Sequence, residues 1–163
     1  MNICLSNMSN IQNFRKGNIV DFETIPYVVS KVNKNGTATV KPLWHDWEPE
    51  DCGIAELTPI EISKSFLKGN GWKHHQGIPD HIWYYDAKVN TEKLVSIIYN
   101  FDTKSVFINR VSTRNIKGTA SQPAETVGKI ENIHELQNFF EDEHIHGHKF
   151  YFIRQYFVEN ECK

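Results

Sequence analysis

The chain has 163 residues, 39% hydrophobic and 12% aromatic, with a formal net charge of −2. That length suits one domain or two very small ones sharing a core, and the aromatic side chains carry enough area to build it. The charge excludes wholesale wrapping of nucleic acid, and no apolar run approaches the roughly 20 residues of a membrane span.

Three scattered cysteines, Cys4, Cys52 and Cys162, form no Cys-x-x-Cys pair, so neither a disulfide framework nor a structural zinc site is expected. Met1–Ser6 lacks the basic region of a signal peptide. A soluble, cytoplasmic protein is expected.

Residues 1–14 are rich in Asn and Ser and read as a flexible arm, with Phe14 beginning to pack. Ile19–Phe22 reads as a short strand. A turn at Thr24–Pro26 is expected, since Pro fixes φ and lacks a donor. Tyr27–Val32 is rich in β-branched residues, and Asn35-Gly36 supplies the positive φ angles of a hairpin turn. Thr37–Leu43 is the returning strand, with Ala38, Val40 and Pro42 on one face. Trp44–Gly53 reads as an acidic, aromatic loop and Ile54–Leu57 as a last short strand. Residues 15–62 therefore predict a small β module, either a curled sheet or an SH3-like barrel.

Ser63 is the expected N-cap of a short helix through Leu67 that ends at Gly69, because Gly69-Asn70-Gly71 cannot sustain it. Ile82–Ala87, Leu94–Asn100 and Ser105–Val111 read as an antiparallel sheet, turning at Asp102–Lys104. Val95, Ile97, Tyr99 and Phe101 share one face. Residues 115–129, with Gly118, Ser121, Pro123 and Gly128, read as a mobile loop. Asn132–Glu135 is a capping box, and Ile133, Leu136, Gln137 and Phe140 fall on one face of a helix. Glu141–Glu143 lie at its C-terminal end, which the helix dipole disfavours. Phe150–Val158 is a final aromatic strand or a second helix. The expected fold is α+β: small β module, short helix, antiparallel sheet and C-terminal helix, with residues 63–163 packed on 15–62 as one body.

Four clusters carry possible chemistry. In Trp44–Asp51, Trp44 is expected in the core. Trp47, Glu48, Glu50 and Asp51 are expected to contact a partner, because an exposed Trp beside carboxylates suits a basic groove. Lys104, Arg110, Arg114 and Lys117 lie in a stretch without Asp or Glu and can follow an RNA backbone, with Trp83–Tyr85 as a stacking face. His144, His146 and His148 alternate and can hold a divalent metal if they lie on a strand, with Glu141 or Glu143 adding a carboxylate. A solvated turn at Gly147 is the plainer reading, so no metal or other cofactor is expected. Lys73-His74-His75 and Asp80-His81 form a polar patch most simply read as a surface loop. Phosphate loops, nucleophile elbows and His-Glu-x-x-His patterns are all missing, which argues against an enzyme.

Five motifs, taken in order, carry a resemblance. They are Gly17-Asn18-Ile19-Val20, Pro42-Leu43-Trp44, Leu57-Thr58-Pro59-Ile60, Leu67…Gly71-Trp72 and Ile133-His134-Glu135-Leu136-Gln137-Asn138. Their order resembles a group of small accessory proteins of phages and prophages from gut and animal-associated bacteria, over roughly residues 15–140. The His144–Lys163 stretch has no counterpart there. The resemblance implies a phage accessory protein acting in the bacterial host cytoplasm and transfers no catalytic residue. By analogy of size and setting, it implies an inhibitor of host defence, such as an anti-CRISPR protein directed at a Cas13b-type effector or its guide-RNA complex. The alternatives are an RNA-binding module using residues 104–117 and a metal-dependent hydrolase at His144–His148.

Overall fold

The computed structural model describes residues 13–90, 93–112, 125–145 and 149–152. The fold is α+β and mostly sheet: two antiparallel four-stranded sheets with two helices among the described residues. The chain divides into two compact units. One comprises Met1–Glu61, Asn132–Asn138 and Phe152–Lys163, the other Ile62–Glu131 and Phe139–Tyr151.

The first unit holds β1 (Ile19–Phe22), β2 (Ile25–Val32), β3 (Thr37–Pro42) and β4 (Glu50–Gly53), hydrogen-bonded in that order. The alternation of β3 buries Ala38, Val40 and Pro42, as its sequence predicts. The core gathers Phe14, Val20, Phe22, Tyr27, Val29, Ala38, Val40, Cys52 and Leu57. Phe14 is packed in this core, as expected; residues 1–12 of the expected arm lie outside the described residues. The expected hairpin turn forms at Asn35-Gly36, but only Gly36 takes a positive φ, +80°, and Asn35 does not.

Three expectations are corrected in this unit. The β1–β2 turn is Glu23-Thr24, both at positive φ (51° and 68°), and Phe22 pairs with Ile25 across it. That is the type I′ pattern, whose twist matches the strands it joins. Pro26 lies inside β2, and the ladder to β3 starts one residue later at Tyr27↔Pro42, so its missing donor costs no ladder bond there. Glu50–Gly53, expected in a loop, is the edge strand β4. Ile54–Glu56, expected as strand, is a 3-10 turn held by the Glu56 carboxylate, which accepts from the Gly53 N–H at 2.6 Å. Beyond it, Thr58 exchanges two 2.8 Å backbone bonds with Asp21 of β1. This isolated bridge does not close the sheet into a barrel.

Helix α2 (Ile133–Asp142) contributes Ile133–Asn138 to this unit. One half of the expected capping box is formed: Glu135 accepts from the Asn132 N–H at 3.0 Å. The late motif then grips the early one. The Gln137 side chain accepts from the Ile19 N–H (2.8 Å) and donates to the Gly17 carbonyl (3.0 Å). Asn18 donates to the Asn138 side-chain oxygen (2.9 Å), and Asn138 donates to the Asn13 carbonyl (2.8 Å). His134 is fully buried, edge-on to Phe14 with ring centroids 4.6 Å apart. Neither ring nitrogen has a hydrogen-bond partner among the described residues. Burial holds its pKa below the usual histidine range, opposed in part by the neighbouring Glu135 charge.

The second unit begins with α1 (Lys64–Gly69). Ser63 caps it, its hydroxyl accepting from the Phe66 N–H at 3.1 Å. Its exit is a Schellman turn: Gly71 at φ +83°, Gly71 N–H to the Lys68 carbonyl and Trp72 N–H to the Leu67 carbonyl. Strands β5 (Ile82–Asn90), β6 (Lys93–Asn100), β7 (Ser105–Ser112) and β8 (Glu125–Lys129) follow as a meander. The first three match the sequence reading, and Val95, Ile97 and Tyr99 are buried on one face.

Strand β8 corrects the expected 115–129 loop. Four of its five residues pair with β7, and the fifth, Val127, falls at a register shift opposite Val106/Phe107, with Gly128 at φ +138°. Phe140 packs against Trp72, Tyr85 and Phe150 in this unit. No described helix is long and apolar enough to cross a membrane.

Candidate protein interface

β4 is an edge strand, and its composition follows from that. Carboxylates on a short edge keep it from pairing with other chains, so Glu50 and Asp51 are exposed while Cys52 turns into the core. Both acids are fixed by neighbours in their own sheet. The buried Tyr27 hydroxyl donates to Glu50 at 2.9 Å, and the Thr39 hydroxyl donates to Asp51 at 2.5 Å. Burial, then the Glu50 hydrogen bond and charge, push the Tyr27 hydroxyl up to about 12. Burial raises the Cys52 thiol pKa, and the charges of Glu56, Glu50 and Asp51 raise it further. The carboxylates of Glu56, Glu50 and Asp51 thus act together on Cys52.

Just before β4, Trp47 is 53% exposed. Its ring stacks on His45, with centroids 4.4 Å apart and planes 11° apart. An indole held flat by a neighbour has little further side-chain freedom to lose on binding. Glu48 is exposed beside it. Trp44, expected in the core, is only half-buried. It stacks on Phe152 at 5.8 Å and donates its indole N–H to the Phe152 carbonyl at 3.3 Å.

Trp47, Glu48, Glu50 and Asp51 are all exposed. Their supports Tyr27, Thr39 and His45 are what the sequence reading missed. The signal for the first two is the β3–β4 and β2–β3 register, which becomes visible only once β4 is recognised as a strand.

The other candidates fare differently. Arg110 is exposed and forms an ion pair with Glu143; Lys104 occupies the left-handed position of the β6–β7 turn, at φ +50°. Arg114 and Lys117 lie outside the described residues. His144 stands in the turn after α2 at φ +55°, not on a strand. His144 N–H donates to the Glu141 carbonyl and Ile145 N–H to the Phe140 carbonyl, a second Schellman turn. His146 and His148 lie outside the described residues. Among the described residues no three His, Cys, Asp or Glu side chains converge as a metal site requires.

In the polar patch, Lys64 pairs with Asp80 at 2.5 Å, and its hydrogen bond and charge hold that carboxyl below the usual range. His81 lies 3.3 Å from Asp102. His74 donates its Nε2 proton to the carbonyls of Ile78 (3.1 Å) and Pro79 (3.2 Å), and His75 is hydrogen-bonded to the Tyr84 hydroxyl. These bonds tie the loop together and account for its histidines structurally. No protein family, curated protein or solved structure matches the chain.

Proposed function

We propose that the chain is a non-enzymatic inhibitor that acts by occupying a basic surface of its target with the Trp47–Asp51 edge. The observation that carries this reading is a half-exposed tryptophan, braced by His45, next to carboxylates pinned by Tyr27 and Thr39. A braced aromatic anchor with fixed charges around it is the form of an interface hot spot, and fixed acids steer association with a basic groove. The Asp21–Thr58 bridge supports reading the first unit as an opened SH3-like module. The motif resemblance supplies the target class: a host CRISPR effector of Cas13b type, or its guide-RNA complex.

The test is a pull-down of the tagged protein with a purified Cas13b-type effector, with and without guide RNA. Capture of the guide-free effector alone means that the protein competes with guide loading; capture of the guide-bound form alone means that it blocks the target or nuclease step. In either case Trp47→Ala must weaken capture at least tenfold. No capture in either state refutes the assignment of target, and capture indifferent to Trp47→Ala refutes the assignment of surface.

A further inference from the structure

The sheet of the second unit has two unlike faces. Residues directly opposite in an antiparallel ladder point the same way, so its register sorts its side chains. On one face Trp83, Tyr99, Val106, Ile97, Ile108, Ala87 and Val95 are all buried. On the other, Tyr84, Ile98 and Phe107 form one row across three strands and are only half-buried. Two aromatic rings thus sit in line, two strand spacings or about 10 Å apart. Tyr84 is held in place by His75, whose ring lies 4.9 Å away and tilted 34°. Ser96, Asn100, Ser105 and Thr126 lie on the same face and offer neutral hydrogen-bonding groups.

The charges on this face are mostly positive. Lys73 bridges Tyr84 on the free side of β5, and Lys129 pairs with Ser105, so both share the face. Lys88 shares it too, two positions beyond Asp86, the one carboxylate placed on it by the ladder. All three lysines are exposed. Three cations rimming a row of rings stand out on a chain of net charge −2.

We propose that this face binds an unpaired nucleic-acid strand, with bases stacking on Tyr84 and Phe107 and phosphates meeting Lys73, Lys88 and Lys129. Rings accept any base by its π-face, whereas a duplex hides its bases, so the site favours single strands without strict sequence preference. The site differs from the Lys104–Lys117 stretch expected from sequence: the stacking residues are Tyr84 and Phe107, and the buried Trp83 is not among them.

The test is fluorescence anisotropy of a labelled twelve-nucleotide oligouridine and of a duplex of equal length, titrated with the full chain at several salt concentrations. Single-strand binding should exceed duplex binding. Its log affinity should fall with log salt at a slope of about −2, for three phosphates at roughly 0.7 each. Phe107→Leu keeps an apolar group in the row and removes the ring; it should weaken binding by about tenfold, within the range for one base–aromatic stack. Replacing Lys73, Lys88 and Lys129 together by Gln should flatten the salt slope. No single-strand binding at low salt, equal affinity for the duplex, or affinity unchanged by Phe107→Leu would overturn the proposal. Far-ultraviolet circular dichroism of each variant separates a lost site from a lost fold.

Discussion

The clasp between the two ends of the first unit can be dissected by a double-mutant cycle on Asn18 and Asn138. Both side chains are nearly sealed from water, at 3% and 7% exposure. Asn138→Ala removes two hydrogen bonds and strands two groups: the Asn18 amide donor, which is buried, and the Asn13 carbonyl, which is only partly so. Leaving a buried polar group unsatisfied costs about 1–3 kcal/mol. The first group should bear most of that and the second less, since water can reach it. The single substitution should therefore cost about 2–4 kcal/mol.

Asn18→Ala loses the Arg15 N–H bond (2.7 Å) as well as the link to Asn138, and should cost a similar amount. In the double variant the Asn18–Asn138 bond is lost only once, and neither amide is left facing an empty partner. The two effects should thus fall short of additivity by about 1–2 kcal/mol. Urea unfolding followed by tryptophan fluorescence measures this. In thermal melts each kcal/mol should appear as a shift of about 2–4 °C for a chain of this size. Additivity within about 0.5 kcal/mol would show that the two amides do not work as a pair, and the clasp as described would be wrong.

Acid should weaken the first unit through His134. Its folded pKa lies below the unfolded value of 6.5, so below that pH the unfolded chain binds the proton first and stability falls with pH. The slope should approach about 1.4 kcal/mol per pH unit between 6.5 and the folded pKa, and His134→Leu should flatten it in melts from pH 7.5 to 5.5. Alkali should act through Tyr27: with its folded pKa near 12 against 10 unfolded, stability is lost as pH rises above 10. In an absorbance titration at alkaline pH, Glu50→Gln should move the Tyr27 transition downward. Thr24→Gly should stabilise the chain by about 0.5–1 kcal/mol, because a β-branched residue at φ +68° bears a left-handed penalty of about 1–2 kcal/mol, offset in part by the entropy of glycine. His144→Gly at the α2 exit should raise the melting temperature for the same reason.

The elements legible in the sequence are those with strong local chemistry. Asn35-Gly36 demands a hairpin, Ser63 and Gly71 bracket α1, and the β-branched and aromatic runs of β5 to β7 read as strands without help. What escaped reading depends on partners far along the chain. β8, Glu125–Lys129, contains one apolar β-branched residue and a glycine; it is a strand because β7 offers a ladder, and Gly128 fits where the register shifts. Glu23-Thr24 has no turn signature, so the turn is imposed by the pairing of β1 with β2. β4 looks like a loop because an edge strand needs acids more than it needs β-formers. At the candidate interface, the exposure of Trp47 follows from its acidic neighbours. The anchoring of Glu50 by Tyr27 spans 23 residues and has no local trace.

Several residues of the five sequence motifs serve the interior of the units that hold them. Gly17 and Asn18 meet Gln137 and Asn138, His134 packs on Phe14, and Leu67, Gly71 and Trp72 close the exit of α1. Gln137 illustrates the point: helical spacing places it on the apolar face, and there its amide substitutes for a missing strand by satisfying a backbone donor at Ile19 and an acceptor at Gly17. Residues used in this way constrain how the chain folds and leave its outer surfaces free to vary. For the same reason, substitutions at Trp47 should disturb binding without disturbing stability, and those at Asn138 should do the reverse.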